Sequence, residues 1–165
     1  MADRTAEDGT LGNCESSVGR PSGAVLNQQV LAALQERVKE LTCLYEISHI
    51  AERPEAPLDE IVRGIVELLP PAWQYPQAAR ARIVLDGRDY ATPSYCEGVH
   101  KQSADIIVNG ERRGMVEVTY VEPKAELDEG PFLAEERKLI DAVAREVARI
   151  VDRRRVQAEQ AALQE

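Results

Sequence analysis

The stretch QSADIIVNGERRGMVEVTYVEP, residues 102 to 123, constrains the fold more than any other part of the chain. Two runs rich in apolar and β-branched residues are joined by Asn109-Gly110, the dipeptide favoured where both turn residues of a two-residue hairpin need positive φ. In the second run Val116, Val118 and Tyr120 alternate with Met115, Glu117 and Thr119, so one apolar face is predicted to meet a core. A second hairpin signal, Asp86-Gly87, closes the alternating run ARARIVL. After it, RDYATPSYCEG with Pro93 inside suits an edge strand. Four antiparallel strands are predicted.

Such a sheet must bury one face, and the flanking segments are patterned to do so. Leu31, Leu34, Val38, Leu41 and Tyr45 fall at steps of three and four, a helical face and a heptad seam. Leu44, Ile47 and Ile50 shift to another face before Pro54 and Pro57 end the helix. A second helix carries Leu58, Ile61, Val62, Ile65, Val66 and Leu69, and Pro70-Pro71 is expected to stop it. Gly64 inside it costs roughly 1 kcal/mol relative to alanine, which marks a close approach. A long last helix is predicted from Phe132, with a second seam at Ile140, Val143, Val147 and Ile150 and a polar continuation past Asp152. The class is α+β, an antiparallel sheet packed by N-terminal helices and a long C-terminal helix. Both seams, Leu31, Leu34, Val38 and Leu41 on one side and Ile140, Val143, Val147 and Ile150 on the other, are expected to pair across a homodimer.

Residues 1–24 are rich in Gly, Ser, Asp and Glu without apolar periodicity, and are expected to be a disordered tail. The domain proper is placed at 25–152 and a polar helical extension at 153–165. A formal charge of −9 argues against nucleic acid or an anionic membrane as the main partner. No apolar run approaches the ~18 residues of a membrane span, and the N-terminus has no secretory pattern. Cys14, Cys43 and Cys96 show no metal-ligand spacing and suit a reducing compartment. A cytoplasmic protein is expected.

The segments LTCLYEIS, IVRGIVELLPPAWQYP, ARIVLDG, KQSADIIVNGERRGMVEVTYVE and DEGPFLAEERKLIDAVAREVARIVDRR resemble a GAF-like module. Such modules stand at the front of prokaryotic sensor histidine kinases and of pyruvate-binding proteins similar to phosphoenolpyruvate synthase. The resemblance covers about residues 38–154, with LLPPAWQYP and KQSADIIVNGERRG its most specific parts. It implies a GAF/PAS-like fold and a dimeric sensory or regulatory input domain of signal transduction, including two-component systems. It implies no catalytic residues, and a signal passed along the exit helix to a kinase or other signalling partner.

Candidate sites are few. In EISHIAERPEAPL, His49 follows a serine as the phosphorylated histidine of sensor kinases does, but Ile50 replaces the acidic neighbour and Pro54 ends the helix at once. A histidine at a helix end is the favoured reading. His100 lies between strands with no companions for a tetrahedral metal site. Trp73 and Tyr75, after Pro70-Pro71, suit either an aromatic wall for a ligand or a core plug with the indole N–H on a loop carbonyl, the plug being preferred. Arg80 and Arg82 open one strand and Lys101, Gln102 and Ser103 another, so cations and amides at strand ends can converge on an anionic metabolite. Arg153, Arg154 and Arg155 are read as complementing the dipole of their own helix. No nucleophile–base pattern or cofactor motif stands out. A non-catalytic sensory or regulatory domain is expected, relaying ligand or partner binding through its terminal helices. The alternatives are a ligand-free docking module and, behind it, a phosphotransfer accessory using His49.

Overall fold

Both hairpins form where the turn dipeptides place them. In the computed structural model, which describes residues 22–164, Asp86 and Gly87 have φ of 51° and 79°, and Asn109 and Gly110 51° and 78°. These are the paired positive angles of a type I′ turn. The elements are α1 (Gly23–Ala51), α2 (Leu58–Ala72), β1 (Ala79–Leu85), β2 (Arg88–Ala91), β3 (His100–Val108), β4 (Glu111–Tyr120) and α3 (Ala134–Leu163). The four strands form one antiparallel sheet in the order β2-β1-β4-β3. The fold is α+β, with N-terminal helices and a long C-terminal helix on one face of the sheet.

Ala79, Ala81, Ile83 and Leu85 of β1 and Val116, Val118 and Tyr120 of β4 are buried towards the helices, as their alternation predicts. Ile61, Val62, Ile65, Val66 and Leu69 bring α2 over β1 and β2, while Leu139, Ile140, Val143, Val147 and Ile150 bring α3 over β3 and β4. Helix α1 lies outside them, on α2 and beside α3. It buries only Cys43, Ile47 and Ala51, and the Ile50 side chain sits where a Cβ on Gly64 would come within 3.1 Å of it. Gly114 on β4 faces the bulge between Ile106 and Ile107, and a Cβ there would lie 1.9 Å from the Val84 carbonyl oxygen.

Four expectations need correction. Helix α2 does not stop at Pro70-Pro71 but runs through them to Ala72, because two prolines in the final turn forfeit N–H donors without forbidding helical φ. The strand after Asp86-Gly87 ends at Ala91, and Thr92 to Val99 form a loop. The seam of Ile140, Val143, Val147 and Ile150 is not free to pair across a dimer: all four side chains are buried against their own sheet. That face had a nearer apolar partner in β3 and β4. The three arginines after Asp152 are not placed to complement the dipole of their own helix, whose C-terminus lies further on at Leu163.

Arg153 and Arg154 act on α1 instead. Arg153 donates to the Ala51 carbonyl at 3.1 Å, and Arg154 to the Arg53 and Pro54 carbonyls at 2.9 and 3.4 Å. These acceptors lie at and just beyond the C-terminus of α1, where carbonyls lack intrahelical donors and cations are favoured. At the other end, Ala32, Ala33, Gln35 and Glu36 line a cavity of about 350 Å³ with Leu133 and Glu135. Helices α1 and α3 therefore run side by side in the same direction. The predicted tail of 1–24 lies outside the described residues up to 21, and residues 23 and 24 are already helical. Among the described residues no helix is long and apolar enough to cross a membrane.

Candidate functional site

The second face of the sheet, turned away from the helices, carries the chemistry. Pleating points Arg80, Arg82 and Val84 of β1, Lys101, Ser103 and Asp105 of β3, and Met115, Glu117 and Thr119 of β4 to this side. Arg82 and Ser103 flank Glu117 directly on the two neighbouring strands. An outward face of this kind is ordinarily wet, yet Glu117 and Thr119 are buried.

The loop from Thr92 to Val99 covers them. Thr92 extends the pairing of β2, its N–H donating to the Ala81 carbonyl at 2.9 Å and its Oγ1 accepting from the Ala81 N–H at 3.1 Å. The chain then turns at Ser94, which has φ of 60°, and folds back over β4. The Tyr95 hydroxyl donates to the Glu117 carboxylate, and Thr119 Oγ1 donates to the Cys96 carbonyl at 3.4 Å. Burial, and then the adjoining Glu117 carboxylate, push the Tyr95 phenol well above its ordinary range, so it stays a donor.

A cation stands on each of the two strands that flank Glu117. Lys101 Nζ lies 3.6 Å from Glu117 Oε2. The Arg82 guanidinium sits 5.4 Å from the centre of the Tyr95 ring and 3.7 Å from Asp89 Oδ2, its side chain 23% exposed. Its Nε is buried and has no hydrogen-bond partner among the described residues. A guanidinium is a planar fork of donors suited to two parallel bonds from a carboxylate or phosphate. An unpartnered buried Nε is a donor that a small bound anion would satisfy.

Of the predicted site residues, Arg82 and Lys101 both lie on this face, on the two strands that flank β4. Gln102 is separated from them by the pleat and lies buried on the helix side. Arg80 is turned to local carbonyls, bonding Gln77 and Ala79 at 2.9 Å each. Trp73 is fully buried, and its indole N–H donates to Gln102 Oε1 at 3.2 Å, a side-chain amide rather than the expected loop carbonyl. Gln102 in turn donates to Glu129 at 3.3 Å, and Glu129 pairs with Arg137. Trp73 and Gln102 thus tie the end of α2 to β3 and α3. Tyr75 packs edge-on against Tyr120 at 5.4 Å, with Lys124 over its ring, on a separate shallow cavity of about 310 Å³. His49 is exposed in the last turn of α1, its ring stacked on Tyr45. His100 opens β3 opposite Tyr120.

A second buried carboxyl, Glu136, lies where α3 begins. It accepts from the Tyr120 hydroxyl at 3.0 Å and the Leu133 N–H at 3.3 Å. Burial raises its pKa to about 7 against those bonds, and Glu36 of α1 adds to the rise. Sequence reasoning missed Glu117 and Glu136 as buried carboxyls and the half-buried Tyr95 as the partner of the first. For Tyr95 the available signal was the length of the β2–β3 connection, eight residues where a tight hairpin needs two.

Among the described residues no group of three or more His, Cys, Asp or Glu side chains is placed to hold a metal ion. Comparison with protein-family models and with curated protein sequences gives no match.

Proposed function

We propose that the chain is a non-catalytic, cytoplasmic sensory or regulatory domain of GAF-like type. It binds a small anionic metabolite between Arg82 and Lys101 and relays that event, as a dimer, through its terminal helices. The observation that carries the reading is the Arg82 guanidinium, largely buried, its Nε without a hydrogen bond, with a loop residue lying across it. An anion seated on Arg82 and Lys101 displaces Tyr95 from Glu117 and lifts the loop at residues 92–99. That loop leads directly into β3, whose Ser103 carbonyl accepts from Arg137 of α3 at 2.8 Å. Movement of β3 therefore bears on α3, and through Arg153 and Arg154 on the end of α1. The sequence resemblance supports the same reading.

Calorimetric titration with a panel of small carboxylates and phosphate esters tests it, using wild type, Arg82→Met and Lys101→Met. The expected result is saturable binding of at least one member, weakened tenfold or more by either substitution. Absence of saturable binding across the panel overturns the proposal. So does binding that both variants retain in full. The exposed apolar stripe on α1 favours a second reading, a docking module without a ligand, which predicts the first of those negative results.

A further inference from the structure

Helix α1 is apolar on two opposite faces. Leu41 and Cys43, and likewise Tyr45 and Ile47, are two positions apart, about 200° around a helix. Cys43 and Ile47 face the body and are buried, so Leu31, Leu34, Val38, Leu41 and Tyr45 face away from it, between 51% and 70% exposed. Every described residue from Ser22 to Gln35 is exposed, so the first turns of the helix bury no side chain against the body. An isolated helix of about 12–15 residues is marginal in water.

We infer that this face pairs with the same face of a second copy of the chain, in parallel and in register, layering Leu31, Leu34, Val38, Leu41 and Tyr45 on their own counterparts. The inference rests on the proposed reading only in taking the domain to be a dimer; it adds which surface pairs and in which direction.

Heptad arithmetic selects the occupant and the orientation. With Leu31, Val38 and Tyr45 at a positions, Leu34 and Leu41 fall at d, and leucine at d with a β-branched residue at a central a position suits a two-stranded parallel coil. In parallel register all five layers are apolar on both sides. The two antiparallel alignments that place a against d oppose Tyr45 to Asn27 in one case and Leu31 to Ser48 in the other. Each buries a large apolar side chain against a polar one. The flanking positions are Val30, Gln35, Arg37, Thr42 and Leu44. Their one charge, Arg37, meets Thr42 of the other copy in the parallel pair, so no like charges oppose one another despite a net charge of −9. The body lies on the opposite side of α1 and leaves the seam clear. A seam of five layers from one helix of each copy is small beside the interfaces of stable complexes, so a concentration-dependent dimer is expected.

The experiment uses the full chain with Cys14 and Cys96 replaced by serine, carrying either Leu31→Cys or Tyr45→Cys. Both positions are exposed, so the fold tolerates them. Sedimentation equilibrium and mild oxidation followed by a non-reducing gel are read together. The expected result is a reversible dimer in which each variant cross-links to itself through its introduced cysteine, the remaining Cys43 being buried. A chain that stays monomeric into the millimolar range overturns the inference. So does cross-linking confined to mixtures of the two variants, or a dimer mass unchanged in Leu34→Glu/Leu41→Glu chains whose circular dichroism matches wild type. Anion titration of the same Leu34→Glu/Leu41→Glu chain separates the two ideas: a monomeric variant that binds anion as wild type does supports this face as the interface and leaves the Arg82 site standing, whereas a dimer that binds no anion overturns both.

Discussion

The two long helices carry the same pattern and have opposite fates. Leu31, Leu34, Val38 and Leu41 on α1 and Ile140, Val143, Val147 and Ile150 on α3 are each spaced by threes and fours, yet the first four are exposed and the second four buried. Spacing encodes that a face is apolar and continuous; it does not encode what the face meets. The chain settles this by topology. Helix α3 follows β4 after a loop of thirteen residues and lies on β3 and β4, where an apolar sheet face is waiting. Helix α1 precedes α2, which already covers β1 and β2, and so α1 buries side chains against the body only at Cys43, Ile47 and Ala51 among the described residues.

The largest expected effect comes from placing the same charge in each seam. Val143→Asp puts a carboxylate where the native side chain is fully buried in the apolar core. A loss above about 4 kcal/mol is expected, enough to abolish the folded state of a typical domain. Leu34→Asp, at 55% exposure, is expected to change the melting temperature of the monomer by less than roughly 2 °C and to act on association alone. Thermal melts of the two variants at low protein concentration check the contrast. If Leu34→Asp unfolds the monomer, α1 is held by its outer face and the comparison fails.

A smaller effect is expected where the two helices approach at Glu136. Its carboxyl titrates at about 7 in the folded chain against an ordinary 4.5. Because the folded value is the higher one, the stability it contributes is complete below about pH 4.5 and is lost as the pH rises through about 7. The groups facing it are Glu36 of α1, the Tyr120 hydroxyl, and the backbone N–H groups of Leu133 and Gln74. Above pH 7 the ionised carboxylate opposes Glu36 across the gap between the helices. Glu136→Gln is expected to remove a pH dependence on the order of 2 kcal/mol, or roughly 5 °C between pH 5 and 8. Melting curves at the two pH values decide it; an unchanged slope in the variant would place the titrating group elsewhere.

What could be read from the sequence was what short-range geometry determines. Asn109-Gly110 and Asp86-Gly87 announce their turns because few residues accept paired positive φ, and the strands follow from the turns. Val116, Val118 and Tyr120 could be assigned to the core because a period of two leaves one apolar face. Arg82 and Lys101 could be named as cations near strand ends, but Gln102, one residue from Lys101, was grouped with them although the pleat sends it to the other face. Glu117 was legible as outward and illegible as buried, since its cover is a loop around twenty residues upstream whose path no local pattern encodes. The partner of each seam was illegible for the same reason. Contacts between elements depend on which surfaces the connections let meet, and periodicity carries no such address.

The smallest effect probes the far end of the α1–α3 contact. Only Arg153 and Arg154 give the C-terminus of α1 side-chain donors from α3 among the described residues, through the carbonyls of Ala51, Arg53 and Pro54. Both arginines sit on a polar stretch of α3 with its own salt-bridged surface, Arg155 pairing with Asp152 and Glu159, so α3 does not need them to stay helical. Arg153→Ala/Arg154→Ala is therefore expected to cost about 1 kcal/mol in global stability, the net worth of a few partly exposed hydrogen bonds. The local consequence is larger in proportion. Freed carbonyls turn to water, and amide exchange from Ser48 to Glu52 should accelerate while exchange at Val143 and Val147 stays unchanged. Equal acceleration in both helices would mean that α1 and α3 open as one unit. Acceleration in α1 alone would mean that the outer helix is joined to the body at discrete points, one of them a pair of arginines that movement of α3 can release.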